Sequence, residues 1–177
     1  MKTTGIIRRI DDLGRVVIPK ELRRNLHIKN GDTLEIFVAV DNVILKKYSP
    51  MESIEDAALK YVESFNQVIK HNIIVTDKDK VIAVSGSLKK NYYGKQISEF
   101  TDRSIERRDS FVERQKKSFS FVEGINDFGY YSFSSIVCNG DTLGSVIIIS
   151  LDKPILESDE KMAVILSKLL SNKFIND

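Results

Sequence analysis

The first 50 residues allow only short secondary-structure elements, and this limits the possible fold more than any other feature of the chain. They predict a helix of about two turns and short strands with alternating apolar residues, separated by turns rich in Asp, Asn and Gly. Such a segment cannot bury enough apolar surface to be stable alone, and it contains no cysteine for a disulfide. We therefore expect an obligate dimer, in which a second copy covers the apolar strand faces. The strands are predicted at 5–10, 15–18, 33–40 and 43–48, with a turn at Asp41-Asn42, and the helix at 20–26.

Basic residues are concentrated in this N-terminal part. Residues 1–50 carry ten Lys or Arg and six Asp or Glu, which gives a net charge of +4. Subtracting these from the 27 basic and 25 acidic residues of the whole chain leaves 17 and 19, a net charge of −2. This uneven distribution indicates a polyanion-binding part joined to a near-neutral body.

Five of the basic residues are arginines within 17 positions, on both sides of a turn and of a helix start. Arginine is often only a solvated surface residue, but clustered guanidinium groups on a small scaffold favour contacts with phosphates and base edges of duplex DNA. We expect Gly14 to adopt an unusual backbone angle that directs Arg15, although an ordinary turn would also use glycine. The five arginines are Arg8, Arg9, Arg15, Arg23 and Arg24.

A helix is predicted over residues 51–70, between the basic part and the rest of the chain. Its apolar residues are spaced by four and three positions, which forms an a/d seam over about two heptads. Such a seam favours a contact between two chains, and the alternative is that the helix packs on its own domain. The seam residues are Ile54, Ala58, Tyr61, Phe65 and Val68.

The order of the later elements indicates an α+β domain of about 120 residues, with an antiparallel sheet and helices largely on one face. Asn139-Gly140-Asp141 separates two longer strands and is typical of a tight hairpin. The remaining elements are strands at 73–76 and 81–84, a highly charged helix at 102–117, a strand at 118–122 and a closing helix at 156–174.

The sequence groups no residues in a way that suggests catalysis, a metal site or a cofactor. Cys138 is the single cysteine, which excludes a disulfide within the chain, and we expect it to be a small buried apolar residue. His27 and His71 lie far apart without further ligands at metal-binding spacing. No apolar run approaches the about 20 residues of a membrane span, and the N-terminus lacks the apolar run of a signal peptide. We therefore expect a soluble, cytoplasmic protein that is not an enzyme.

Three stretches of the N-terminal part resemble the AbrB-like transition-state regulators. Residues 4–24 read TGIIRRIDDLGRVVIPKELRR, residues 31–38 read GDTLEIFV, and residues 43–48 read VILKKY. The resemblance implies that two chains interlace as a swapped-hairpin β-barrel and present arginines to double-stranded DNA. It assigns the DNA contacts to the same five arginines, of which either Arg8 or Arg9 should face DNA more directly, because neighbours in a strand face opposite ways.

The whole chain resembles those AbrB-like regulators of spore-forming bacteria that carry a C-terminal GAF-type sensor domain. This resemblance implies an activator and repressor of transcription in the cytoplasm of the forespore, assembled as a homotetramer. It also implies recognition of DNA shape and flexibility, and therefore a degenerate site. The Asn-Lys-Phe-Asp-Glu pattern of cyclic-nucleotide GAF domains is absent, which argues against that class of ligand. The implied domains are 1–50 for DNA binding, 51–70 as the connecting helix and part of the C-terminal domain, and 71–177 as a GAF-like sensor or oligomerisation domain.

Two other functions compete with that of a DNA-binding regulator. Swapped-hairpin domains also occur in antitoxin-like DNA-binding proteins, whose C-terminal part binds a protein partner. Such a tail is usually short and disordered, whereas residues 51–177 carry regular helix and strand patterns, which argues against an antitoxin. An enzyme ranks third, because no acid–base pair is apparent. The GAF-like domain could bind an unidentified small molecule or serve only for oligomerisation, and the sequence leaves both open.

Overall fold

The structure of the protein, a computed structural model, describes residues 5–174. Thr4, the first residue of the segment that resembles the AbrB-like regulators, lies outside the described residues. The chain divides into two compact units, Met1–Tyr48 and Ser49–Asp177, here called the N-terminal unit and the C-terminal unit.

The helix of the N-terminal unit, α1, spans Lys20–Asn25. Pro19 precedes it, and the fixed φ of proline suits the entry into a helix. The helix ends before His27, which has a positive φ of 51°. The strands predicted at 5–10 and 15–18 are not formed in the single chain. A strand requires the backbone of a neighbouring strand as its hydrogen-bonding partner, and that partner was expected to come from a second copy.

Strands β1 (Leu34–Ala39) and β2 (Asn42–Lys47) form an antiparallel hairpin. Ala39 pairs with Asn42, so the turn is Val40-Asp41, one position earlier than predicted. Val40 has a positive φ of 36°, which tight hairpin turns require.

Both faces of this hairpin carry exposed apolar cross-strand pairs. Three consecutive cross-strand pairs consist of apolar residues, and consecutive pairs point to opposite faces of a hairpin. Each of these side chains is at least 41% exposed in the single chain. A two-stranded hairpin with this composition needs cover on both faces to be stable in water. The pairs are Ile36 with Leu45, Phe37 with Ile44 and Val38 with Val43.

The described part of the C-terminal unit, residues 49–174, combines strands and helices as an α+β domain. None of the helices within residues 5–174 has both the length and the apolar character needed to cross a membrane. The strands are β3 (Asn72–Thr76), β4 (Val81–Ser85), β5 (Ser110–Phe119), β6 (Asp127–Cys138) and β7 (Asp141–Ser150). The helices are α2 (Glu55–Ile69), α3 (Lys89–Tyr92), α4 (Glu99–Glu106) and α5 (Glu157–Ser171).

The strands of the C-terminal unit form a sheet with the order β4-β3-β7-β6-β5, in which every neighbouring pair is antiparallel. The predicted hairpin between β6 and β7 is confirmed, and its turn residues Asn139 and Gly140 have positive φ values of 49° and 89°. Cys138, just before this turn, is buried as expected.

Each face of this sheet carries its own apolar core. Along β3, Ile73 and Val75 pack into the core that also contains buried residues of α2 and α5, here called the first core. Ile74 points the other way, into a second core with Tyr92 of α3 and several aromatic residues. All five residues of β3 are buried, because helices or loops cover both faces.

The prediction of a charged helix over 102–117 is wrong. Helix α4 ends at Glu106, Arg108 takes a positive φ of 61°, and the chain continues as the edge strand β5. Phe111 packs into the second core and Val112 into the first, which is the two-residue period of a strand. Charged residues are common on edge strands, and here they concealed that period.

The helix predicted over 51–70 begins as a 3₁₀ turn, Pro50–Ile54, and continues as α2. Ala58 is fully buried in the first core, and Tyr61 and Phe65 are partly buried against it. These seam residues therefore pack on their own domain, as in the alternative interpretation of their spacing. Val68, the last residue of the seam, is 73% exposed.

Candidate nucleic-acid interface

The turn at residues 11–15 is organised by the side chain of Asp11. One carboxylate oxygen, Oδ1, accepts hydrogen bonds from the backbone N–H groups of Leu13 at 3.0 Å and Arg15 at 2.8 Å. The backbone N–H of Gly14 donates to the Asp11 carbonyl at 2.9 Å, and Asp11 N–H donates to the Arg15 carbonyl at 3.1 Å. Gly14 has a φ of 75°, the unusual backbone angle expected for it.

The second carboxylate oxygen of Asp11 holds the side chain of Arg15. Arg15 Nε lies 2.8 Å from Asp11 Oδ2, and the side chain of Arg15 remains 71% exposed. The hydrogen bonds from the Arg15 backbone and then from its guanidinium keep the pKa of Asp11 below its ordinary value, although burial acts slightly against them. Asp11 thus holds the guanidinium at Nε, the nitrogen nearest to the backbone, and the terminal nitrogens Nη1 and Nη2 form the outer edge of the group.

Helix α1 and the loop that follows it position Arg23. Arg23 Nη1 donates to Asn30 Oδ1 at 3.1 Å, and Ile28 N–H donates to the Arg23 carbonyl at 2.8 Å. The side chain is partly buried, and its Nε is buried without a hydrogen-bond partner among the described residues. The neighbouring Arg24 is exposed.

Arg8 and Arg9 lie in the segment before the turn, and both are exposed. Arg8 Nη1 donates to the carbonyl of the adjacent Ile7 at 3.1 Å. This segment forms no strand in the single chain.

Four of the five arginines are thus exposed in one small unit, and Arg15 and Arg23 are held by neighbouring side chains. Sequence reasoning missed both holding residues, Asp11 and Asn30. The spacing from Asp11 to Gly14 indicated a turn, but it carried no signal that the carboxylate also binds a guanidinium.

In the C-terminal unit, aromatic rings fill the sheet face of the second core. The rings of Phe111 and Phe133 are stacked with centroids 5.0 Å apart. Tyr131 meets Phe119 and Phe121 edge-on at 5.1 and 5.0 Å. These contacts give this face of the sheet a tightly packed aromatic interior.

Residues 53–174 match the family model of the stage V sporulation protein T C-terminal domain, described as a transcription factor. Over 163 residues the chain is 50% identical to stage V sporulation protein T of Bacillus subtilis (strain 168), a match that covers 91% of this chain and 92% of that protein. The chain belongs to the stage V sporulation protein T family. Membership of this family agrees with the resemblance of the whole chain to GAF-containing regulators of spore formers.

The N-terminal unit has further relatives outside the stage V sporulation protein T family. Over 50 residues the chain is 62% identical to transition state regulatory protein AbrB of Bacillus subtilis (strain 168), covering 28% of this chain and 52% of that protein. Residues 7–53 also match the family model for antidote-toxin recognition MazE, a bacterial antitoxin. The N-terminal unit is an AbrB-like domain, as its residues indicated.

The fold of the C-terminal unit agrees with the GAF-like prediction. The chain matches the crystal structure of the GAF domain from Acinetobacter phosphoenolpyruvate-protein phosphotransferase with a TM-score of 0.52 and 15% identity. The match covers 72% of this chain and 82% of that chain. At this identity the likeness concerns the fold, and the C-terminal unit has a GAF-like fold.

Proposed function

We propose that this member of the stage V sporulation protein T family is a DNA-binding regulator of transcription, and that its N-terminal unit contacts double-stranded DNA. The supporting observation is that the exposed arginines belong to the unit that shares 62% identity with AbrB. The DNA contacts are assigned to Arg8, Arg9, Arg15, Arg23 and Arg24.

The DNA-binding form is a dimer of N-terminal units. A hairpin that is apolar on both faces needs cover on both sides, and a second copy with an interlaced hairpin supplies it. In that swapped-hairpin barrel, residues 5–10 and 15–18 would gain the neighbouring strands that they lack in one chain. The dimer would present ten arginines, and further contacts between chains would assemble a homotetramer.

Most of the arginine contacts are expected to go to phosphates, which give affinity and a strong dependence on salt. Guanidinium groups can also reach guanine edges in the major groove. A surface built largely from phosphate contacts reads DNA by its shape and flexibility, so we expect a degenerate binding site.

The GAF-like C-terminal unit is assigned the role of a signal or assembly domain. A signal that binds one arrangement of the assembly better than another would shift the population of arrangements and thereby the affinity for DNA. We assign DNA binding to residues 1–50, the connection to 51–70 and the signal or assembly role to 71–177. In the cytoplasm of the forespore, such a regulator would activate some sporulation genes and repress others.

Duplex-DNA binding by the full chain, measured by fluorescence anisotropy over a series of salt concentrations, tests the proposal. We expect a steep loss of affinity with salt in the wild type and a shallower dependence in Arg15→Ala with Arg23→Ala. A dimer of this variant lacks four arginines, so the slope of log affinity against log salt should become shallower by up to about 3.6.

The matched control is Arg107→Ala with Lys116→Ala, which removes two exposed cations per chain from the C-terminal unit. This variant should keep a slope close to that of the wild type. The assignment of the interface is wrong if both variants flatten the slope equally. Failure of the wild type to bind duplex DNA at low salt would contradict the proposed function itself.

An antitoxin-like DNA-binding protein is the second candidate, because residues 7–53 match the antitoxin family model. An antitoxin would carry a partner-binding segment after this domain, whereas residues 49–174 form a folded α+β unit with two cores. Isolation of a stable complex with a toxin-like protein from the source cells, in place of salt-dependent DNA binding, would favour this candidate.

A further inference from the structure

Asp11 is an exposed acidic residue that pairs with Arg15, one of the arginines assigned to the DNA contacts. Its side chain is 43% exposed, so its charge faces the solvent from which a DNA phosphate would approach. By charge alone, a carboxylate at this position weakens binding to a polyanion. This loss of affinity would be offset if Asp11 improves the geometry of an arginine that binds DNA, and its contacts with Arg15 have that effect.

Those contacts fix both the backbone and the side chain of one arginine. Oδ1 binds the N–H groups of Leu13 and Arg15, and Oδ2 binds Arg15 Nε at 2.8 Å. The two oxygens of one carboxylate therefore determine the turn and the direction of the guanidinium together. An exposed arginine without such a partner samples many rotamers and loses that freedom on binding.

We propose that Asp11 is a positioning residue for DNA recognition, which holds the Arg15 guanidinium by Nε so that its outer edge meets DNA in one fixed orientation. This inference rests on the proposed DNA-binding function. A guanidinium held in this way can form a planar, two-pronged hydrogen bond with a phosphate or a guanine edge. The carboxylate of Asp11 reduces the positive charge of the surface but fixes the orientation of the Arg15 guanidinium. This Asp11–Arg15 clamp should therefore increase discrimination between DNA sequences more than it increases total affinity.

Asp11→Asn separates these two effects. The amide oxygen still accepts the backbone hydrogen bonds of the turn, but the negative charge and the ion pair with Arg15 are lost. A pure charge effect would raise affinity for every duplex, whereas loss of positioning would lower the preference for the recognised one. Asp12→Asn is the matched control, since it removes the same charge from the adjacent exposed residue.

The experiment measures binding of the full chain to two duplexes of equal length. One is selected by the protein from a random-sequence duplex pool, and the other is a scrambled version of it. We expect Asp11→Asn to lower the ratio of the two affinities about 5- to 10-fold, the order of one well-placed contact with a base. Asp12→Asn should raise both affinities and leave the ratio unchanged.

A double-mutant cycle links the effect to Arg15. In the Arg15→Ala background, Asp11→Asn should change the affinity ratio less than twofold, because the positioned group is absent. Arg15→Lys, which keeps the positive charge but has no Nε, should lower the ratio as Asp11→Asn does. This variant also provides the test if Asp11→Asn fails to fold.

Two results would overturn the inference. In one, Asp11→Asn raises both affinities equally, as Asp12→Asn does. In the other, the ratio falls equally with and without the arginine side chain at position 15. Failure of the proposed function looks different, because the wild type would then show no salt-dependent binding to either duplex.

A readout without DNA tests the clamp directly. In an NMR pH titration of the full chain, Arg15→Ala should raise the pKa of Asp11 toward its ordinary value, because the guanidinium hydrogen bond that lowers it is removed. An unchanged pKa would show that the ion pair does not form in solution and would overturn the inference. Arg24→Ala, a change at an exposed arginine elsewhere in the unit, is the control.

Discussion

Gly144 shows how closely single residues are fitted in the sheet of the C-terminal unit. A Cβ at this position would overlap the carbonyl oxygen of Thr76 and would lie 2.8 Å from its carbonyl carbon. Strand β3, which carries Thr76, pairs with β7 along its whole length and is buried on both faces. It cannot move away without breaking that hydrogen-bonded ladder.

Gly144→Ala should lower the free energy of unfolding by about 3 kcal/mol, because the added methyl group overpacks a rigid site. Urea denaturation followed by circular dichroism measures this. The control is Gly140→Ala, where a Cβ meets open space but φ is 89°, and the expected loss is about 1 kcal/mol. Equal losses in the two variants would mean that β3 yields to the methyl group.

Tyr92 is a buried polar residue whose ionisation couples stability to pH. Its ring is fully buried, and its hydroxyl donates a hydrogen bond to Asp127 Oδ2. Burial and this hydrogen bond to a carboxylate raise the pKa of Tyr92 far above its ordinary value of 10.0. The folded state therefore keeps its proton where the unfolded chain loses it.

The stabilising contribution of Tyr92 is complete below about pH 10 and declines as the pH rises above it, by up to about 1.4 kcal/mol per pH unit. Tyr92→Phe should cost about 1 kcal/mol at neutral pH and should make stability fall less steeply between about pH 10 and 12. Urea unfolding at several pH values measures both effects, with Tyr61→Phe as the control. The same alkaline slope in the wild type and Tyr92→Phe would contradict the assignment.

Prediction at the scale of residues succeeded for turns whose residues readily adopt a positive φ. Gly14 and Asn139-Gly140 were recognised as turn residues, because few other residues adopt a positive φ without strain. The contacts of Asp11 with Arg15 and of Arg23 with Asn30 were not predicted. They depend on the directions of side chains in space, which sequence spacing does not give.

At the scale of elements, helix α4 has its cap supplied by one side chain. Ser98 Oγ accepts a hydrogen bond from Thr101 N–H at 3.2 Å and donates one to the Ser120 carbonyl at 2.6 Å. The same hydroxyl therefore closes the start of the helix and ties it to the loop after β5.

Ser98→Ala should destabilise the C-terminal unit by about 1–2 kcal/mol, because the cap hydrogen bond and the hydrogen bond to the Ser120 carbonyl are lost. Thermal and urea unfolding measure the change. Ser118→Ala, at an exposed position of β5, should change stability by less than about 0.5 kcal/mol. A loss at Ser98 no larger than at Ser118 would show that the cap contributes nothing.

The elements that the sequence predicted well are those with unambiguous periods or turns. Strands β3, β4 and β7 contain continuous apolar runs, β6 and β7 flank a strong turn signal, and all four strands were found. Strand β5 was mistaken for a helix because charged residues occupy most of positions 113–117 at the sheet edge. Its apolar residues Phe111 and Val112 are adjacent, so a period of two is visible only once the two cores are known.

At the scale of the whole molecule, the order of elements predicted an antiparallel α+β domain, and the resemblance of the chain to known regulators implied its GAF-like fold and the AbrB-like N-terminal unit. The sequence did not settle what the seam of α2 contacts. Amphipathic spacing shows that one face of a helix is buried. The same spacing is found whether that face packs on a second chain or on the helix's own domain. Ala58 is fully buried within its own chain, so most of the seam packs on the helix's own domain.

Val38→Lys should reduce the size of the assembly, because a charge would be buried where the apolar face of the hairpin meets a second copy. Val38 is 80% exposed in the single chain, so the substitution has no comparable cost before assembly. Sedimentation velocity at several protein concentrations measures the change. Arg15→Ala should keep the wild-type size, and a wild-type size for Val38→Lys would contradict the swapped-hairpin dimer.

The two apolar faces of the hairpin also bear on how this protein can evolve. When both partners of an interface are products of one gene, every substitution in the interface is present in both copies. In the proposed swapped-hairpin dimer, a change at Phe37 or Ile44 would therefore have to be tolerated beside a second copy of itself. In a cell that makes two related versions of the chain, hairpins with similar apolar faces would interlace with each other, and divergence of the two versions would require changes that forbid mixed pairs.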